Sequence, residues 1–235
     1  MSSNKIVLAF DVYGTLFDTS SVINTVRKFV QDDQTAKSVV SSWRTFQLEY
    51  TWRLNSMGLY ESFDEVTRKA LINAFGAQGI KLENPQIEEL MASYTDLTCF
   101  PDAIAAIKAI SSKEGITALV FSNGTEKSVG KILDGSPLQQ YSNILKRPLV
   151  VADSVRKFKP APEIYQHLLK EADLEKTPEK CWVVSGNPFD VVGARKSGLN
   201  SVWVDRSGTG WIDQLGEPTK VIRSLEELSA IFTEA

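Results

Sequence analysis

The chain has 235 residues, 43% of them hydrophobic, which suits one α/β core with a modest insertion. Its 26 basic and 29 acidic residues are interspersed and sum to a net charge of -3, with no basic block of the kind that tracks nucleic acid. No apolar run approaches the roughly 18 residues of a membrane helix, so the expected partners are small molecules or proteins, with no nucleic acid and no membrane.

Two cysteines, Cys99 and Cys181, stand far apart in no metal or redox spacing, which speaks for a reducing compartment. The first apolar run is about five residues long, short of the roughly seven of a secretory core. A soluble cytoplasmic protein is expected.

That run, Ile6 to Phe10, is β-rich, ends on Asp11 and is followed by the turn residue Gly14. It predicts a buried parallel strand that delivers a carboxylate to the crevice where open α/β sheets bind ligands. Taken alone, a helix-capping aspartate would look the same.

From Asp18 to about Cys99, helical spacing replaces short β-rich runs. Trp43, Phe46, Tyr50, Leu54 and Met57 recur at three- and four-residue steps before Gly58, which predicts an amphipathic helix with a glycine stop. Helical segments follow over 63–75 and 85–97, so 18–98 reads as an inserted helical bundle of the kind that closes over a site. The aromatic stripe, with Trp43, Tyr50 and Trp52, reads as packing.

Alternation resumes at Phe100-Pro101. A helix is predicted from Asp102 to about Ser112, another near Thr125 and a third after Pro162. Strands are predicted over 116–121, 149–151, 181–184, 201–204 and 221–222. With the first, about six strands alternate with helices, the signature of a Rossmann-like parallel sheet covered by helices on both faces. The α/β core is then split in sequence, 1–17 and 99–235. The single histidine, His167, lies on the helix after Pro162, so acid-base work falls to carboxylates and lysine.

Four stretches carry the chemistry: Asp11-Val-Tyr-Gly-Thr-Leu16, Phe121-Ser-Asn-Gly124, Lys159-Pro160 and Ser185-Gly-Asn-Pro-Phe-Asp190. Together they offer a carboxylate, a hydroxyl-amide pair, a lysine and a second carboxylate. A carboxylate is a weak nucleophile in water, so it must be desolvated and kept ionised, a task for a neighbouring ammonium such as that of Lys159.

In that order the stretches resemble the four motifs of the haloacid dehalogenase superfamily. Trp43-Arg44 with Gln47-Leu-Glu-Tyr50 and Trp52 resembles its L-2-haloacid dehalogenase branch and marks Arg44 as a site residue. In the phosphatase majority of the superfamily the first motif carries a second aspartate and an acidic pair holds magnesium; here those positions are Tyr13 and Asn187. The resemblance therefore implies a reaction without a metal or other cofactor.

It implies that Asp11 attacks the α-carbon of a short L-2-halocarboxylate, expels halide and forms an ester. Water then hydrolyses the ester to a 2-hydroxy acid of inverted configuration. Arg44 and Asn123 would receive the halide between the apolar walls Phe63 and Phe189. Ser122 and the backbone N–H groups of Val12 and Tyr13 would hold the substrate carboxylate. Thr15, Tyr165, Ser185 and Asn187 would orient Asp11, Lys159 and the water, which Asp190 would activate beside Lys159. The branch commonly forms homodimers, for which the aromatic-rich helix could supply an interface.

Alternatives stand beside these roles. Ser122 and Asn123 could cap the helix near Thr125, Thr15 could complete a turn, and Asp190 could be an N-terminal helix acid. Tyr165, Phe63 and Phe189 could simply pack, and Lys159 could be a surface lysine. At the level of function the alternatives are a related hydrolase that opens a strained azetidine carboxylate, a magnesium-dependent phosphatase, and a silent binding protein.

Overall fold

The computed structural model describes residues 5–232, with the backbone alone at 146–148. Strands β1 (Ile6–Phe10), β4 (Ile116–Ser122), β5 (Leu145–Val151), β6 (Cys181–Ser185), β7 (Asn200–Val204) and β8 (Lys220–Ile222) form a six-stranded sheet, order β5-β4-β1-β6-β7-β8. Every neighbouring pair is parallel.

A central parallel strand is covered on both faces and needs apolar residues at successive positions. Val7, Leu8, Ala9 and Phe10 meet this, each 0% exposed. The chain fills the β4 and β5 side of β1 first and the β6 side afterwards, so the topological switch lies beside β1. Asp11 therefore leaves the sheet at the crevice this topology creates.

Crossover helices α5 (Pro101–Ile110), α6 (Glu126–Asp134), α7 (Pro162–Ala172) and α8 (Pro188–Lys196) flank the sheet, and α9 (Leu228–Ile231) follows β8. The expected sheet and covering helices are present. α8 is foreshadowed only by the reading of Asp190 as an N-terminal helix acid, and β5 begins earlier than 149. Pro148 interrupts the apolar signal there, but β5 is an edge strand, where proline is tolerated.

Between β2 (Phe17–Asp18) and β3 (Thr98–Cys99) lie α1 (Ile23–Val26), α2 (Asp33–Met57), α3 (Phe63–Gly76) and α4 (Asn84–Ser93). β2 and β3 pair antiparallel, Phe17 with Cys99 and Asp18 with Thr98, so the helical excursion leaves and returns at one place. α2 starts before its apolar stripe because the Asp32 side chain accepts Thr35 N–H and caps it, and it ends on Gly58 at φ 68°. α4 stops at Ser93, short of 97, where the Ser93 and Thr95 hydroxyls take the Leu90 and Ala92 carbonyls. The buried Trp43 indole of α2 donates to Thr67 O on α3 at 2.9 Å, which bears out its reading as a packing residue.

Among the described residues no helix is long and apolar enough to cross a membrane. Cys99 and Cys181 are free thiols, and burial pushes them up to about 11 and about 12.

Candidate active site

Asp11 N–H still donates to Val184 O on β6 at 3.0 Å; beyond it the chain turns sharply. Gly14 takes φ 88°, a left-handed conformation that glycine adopts without a Cβ penalty, and the Thr15, Leu16 and Phe17 N–H groups all donate to Val12 O. The turn swings Thr15 back under Asp11. Its Oγ1 donates to Asp11 Oδ2 at 2.7 Å and accepts Gly186 N–H at 2.9 Å, so Thr15 ties the first strand end to the loop after β6.

Lys159 is 1% exposed, which excludes the surface-lysine alternative. Its Nζ donates to Asp11 Oδ1 at 3.1 Å, Asp190 Oδ2 at 2.7 Å and Phe121 O at 2.8 Å, using all three ammonium donors. The Lys159 backbone N–H donates to Asn123 Oδ1 at 2.8 Å. Asp190 sits in the first turn of α8, fully buried, and Tyr165 Oη donates to its Oδ1 at 2.9 Å. Burial pushes the Asp190 carboxyl above its ordinary range, against the opposing pull of Lys159. Burial, and then the nearby Asp190 charge, pushes the Tyr165 phenol well up, so it serves as a neutral donor.

Asn187 joins the two halves. Its Nδ2 donates to Asp11 Oδ2 at 2.8 Å and Tyr13 O at 3.0 Å, and its Oδ1 accepts Arg44 Nη2 at 3.0 Å. Ser185 Oγ accepts Asn187 N–H at 3.1 Å, so Ser185 braces Asn187. Arg44 reaches in from α2, its Nη2 also donating to Tyr13 O at 3.2 Å.

Ser122 Oγ accepts Gly124 N–H at 3.0 Å, while α6 is capped by Thr125, whose Oγ1 accepts Ser128 N–H. Ser122 and Asn123 are therefore not its caps. The buried Val12 and Tyr13 N–H groups have no hydrogen-bond acceptor among the described residues. Unpaired buried N–H groups at a strand-to-loop turn are rare and make an anion site. The Phe63 ring lies 5.2 Å from that of Tyr13. Phe189 meets the edge of Trp52 at 5.6 Å, packing α8 against α2.

Several residues of this site were not singled out by sequence reasoning. Gln47, three residues after Arg44 on the same helix face, accepts Arg44 Nη1 at 2.7 Å; the i, i+3 spacing was a usable signal. Asn55 holds the Phe158 backbone at both ends, its Nδ2 donating to Phe158 O at 2.7 Å and its Oδ1 accepting Phe158 N–H at 3.0 Å. Arg206, paired with Asp102, donates to Thr15 O at 2.8 Å, a contact with no local signature. Among the described residues no group of three or more His, Cys, Asp or Glu side chains is placed to hold a metal ion.

A parallel α/β sheet that ends its first strand on a buried, lysine-paired aspartate, under a helical excursion, defines a class of hydrolase. The chain belongs to the haloacid dehalogenase-like hydrolases, whose family model matches residues 7–198. It is similar to (S)-2-haloacid dehalogenase 2 of Pseudomonas sp. (strain CBS-3), 32% identical over 97% of this chain and 96% of that one. It is also similar to (S)-2-haloacid dehalogenase H-109 of Pseudomonas putida, 31% identical over 94% and 95% of the two chains. The structure of L-2-haloacid dehalogenase from Xanthobacter autotrophicus with chloropropionic acid covalently bound is 27% identical, with a TM-score of 0.85 over 97% of this chain and 98% of that one.

Proposed function

We propose that this protein hydrolyses short (S)-2-haloalkanoic acids to (R)-2-hydroxy acids through an ester on Asp11, without a metal. The observation that carries this is the Lys159 ammonium between Asp11 Oδ1 and Asp190 Oδ2, which places a fixed cation beside the attacking carboxylate. Tyr13 and Asn187, where a magnesium phosphatase would carry acids, support the metal-free course, and relatives about 30% identical are (S)-2-haloacid dehalogenases.

In the first step an Asp11 carboxylate oxygen forms a bond to the substrate α-carbon as the carbon-halogen bond breaks, and the halide leaves with the bonding pair. The unpaired Val12 and Tyr13 N–H groups and the Ser122 hydroxyl receive the substrate carboxylate. Arg44 and Asn123 receive the halide, with Phe63 and Phe189 as apolar walls. In the second step water attacks the Asp11 carbonyl carbon. Asp190, its proton affinity raised by burial, takes a water proton. The bond between the Asp11 acyl carbon and the ester oxygen then breaks, and the alkoxide takes that proton back and departs as the hydroxy acid. Asp11 is regenerated as the second water proton is lost to solvent. Thr15, Asn187, Ser185 and Tyr165 hold this arrangement through the contacts described above.

In the same reading 18–98 is a cap over the core of 1–17 and 99–235, and its return point is the β2-β3 pair. The reading extends to a cytoplasmic homodimer, with the half-exposed Trp52 and the exposed Met57 of α2 available to an interface.

The test is halide release from (S)- and (R)-2-chloropropionate in the presence of chelator, for the native chain and Asp11→Asn. Turnover of the (S) form alone, lost in the variant, is expected. Turnover abolished by chelator, or undiminished in Asp11→Asn, would overturn the proposal.

A further inference from the structure

The helical excursion brings a buried glutamine into contact with the arginine that reaches the site. Gln47 is 0% exposed, and its Oε1 accepts both Arg44 Nη1 at 2.7 Å and Tyr94 Oη at 2.8 Å. Its Nε2 donates to Thr67 Oγ1 at 2.6 Å, and the Thr67 hydroxyl donates in turn to Phe63 O at 2.7 Å. A guanidinium can only donate, so the Gln47 amide oxygen must face Arg44; Tyr94 Oη donates to that same oxygen, and the amide nitrogen faces Thr67. The network admits one orientation of Gln47, and its amide oxygen holds Nη1 of the guanidinium while Tyr13 O and Asn187 Oδ1 hold Nη2.

The oxygens on Arg44 share a property. Gln47 Oε1, Tyr13 O and Asn187 Oδ1 are all neutral, and no carboxylate pairs with Arg44 among the described residues. A carboxylate would hold a guanidinium at least as firmly, but it would cancel most of the field. Neutral acceptors fix the geometry and leave the positive charge for an anion that develops during reaction.

We propose that Gln47 is a positioning residue that aims Arg44 at the departing halide while leaving its charge uncompensated. The proposal rests on the dehalogenation reading above. It makes a distinction that a merely structural role does not. Chloride is compact, with its charge concentrated, and depends strongly on electrostatic stabilisation as it leaves; iodide is large and polarisable and depends on it little. A defect in the Arg44 field therefore slows carbon-chlorine cleavage more than carbon-iodine cleavage, whereas general loosening of the site slows both alike.

The experiment measures single-turnover halide release at pH 8 from (S)-2-chloropropionate and (S)-2-iodopropionate. The proteins are the native chain, Gln47→Glu, which keeps the shape and adds a charge, and Tyr94→Phe, which frees one side of the amide oxygen. For Gln47→Glu a fall of about tenfold with the chloro acid and about threefold or less with the iodo acid is expected. For Tyr94→Phe a smaller shift in the same direction is expected, and this variant carries the test if Gln47→Glu does not fold. Equal slowing of both substrates, or no slowing, in a folded variant overturns the role of Gln47. A native chain that releases neither halide overturns instead the dehalogenation reading on which the role rests.

Discussion

Replacing Lys159 by methionine keeps most of the side-chain volume and removes the ammonium from between two buried carboxylates. Its contacts at 3.1 Å to Asp11 and 2.7 Å to Asp190 are each worth about 5 to 6 kcal/mol of gross attraction at an effective dielectric of about 20. Desolvation of the buried ions offsets much of this, and breaking such a group by removing one partner costs about 3 to 5 kcal/mol net. In a chain of this length that lowers Tm by about 10 °C.

The loss should depend on pH, in a direction set by Asp190. Its carboxyl is already raised by burial above the unfolded value, with Lys159 pulling the other way. A raised acid contributes stability that is complete below the unfolded pKa and lost as pH rises through the folded pKa. Without Lys159 the folded value rises further, so the deficit of Lys159→Met against the native chain is expected to be small near pH 5 and to grow toward pH 8. Urea unfolding of both proteins at the two pH values measures it. An equal deficit at both, or none at pH 8, would refute the view that uncompensated carboxylate charge is what Lys159 neutralises.

Asn55→Ala removes both hydrogen bonds to the Phe158 backbone and is expected to cost about 1 to 3 kcal/mol in urea unfolding. Because Phe158 precedes Lys159, steady-state kinetics should show a fall in kcat greater than the rise in KM. Gly186→Ala would place a Cβ 2.6 Å from Gly14 O and push apart the two loops that Thr15 and Asn187 join. Loss of kcat by about tenfold or more is expected, with stability down by about 1 to 3 kcal/mol. Gly58→Ala meets no atom within 4 Å but must hold φ +68°, so a stability loss of about 1 kcal/mol with unchanged kcat is expected.

Much of this protein was written locally. The unbroken apolar run ending on Asp11, the β-rich runs at 116–121 and 181–184 and the helical spacing from Trp43 to Met57 report burial on two faces or on one, which depends on nearest neighbours along the chain. That Asp11 and Ser122 close strands, and that Lys159 and Asp190 lie in the segments after later strands, followed from the same runs, since the carboxyl ends of parallel strands converge on one crevice. Helix ends were less legible: α2 begins where Asp32 caps it, and α4 ends where hydroxyls compete for its carbonyls.

Which atoms meet was decided by the tertiary structure alone. That Lys159 bridges Asp11 and Asp190, rather than standing at the surface beside Lys157, depends on contacts 148 and 31 residues apart in sequence. Arg44 meets Asn187 across 143 residues, and Asn55 meets Phe158 across 103. No periodicity records such pairings, because a side chain's partner is set by how whole elements pack and not by its own neighbours. The amino-acid sequence by itself determined the sheet, the acid that ends its first strand and the family resemblance. The packing of the strand ends made Asp11, Thr15, Lys159, Asn187 and Asp190 one largely buried, mutually hydrogen-bonded site, to which α2 adds Arg44 and Asn55.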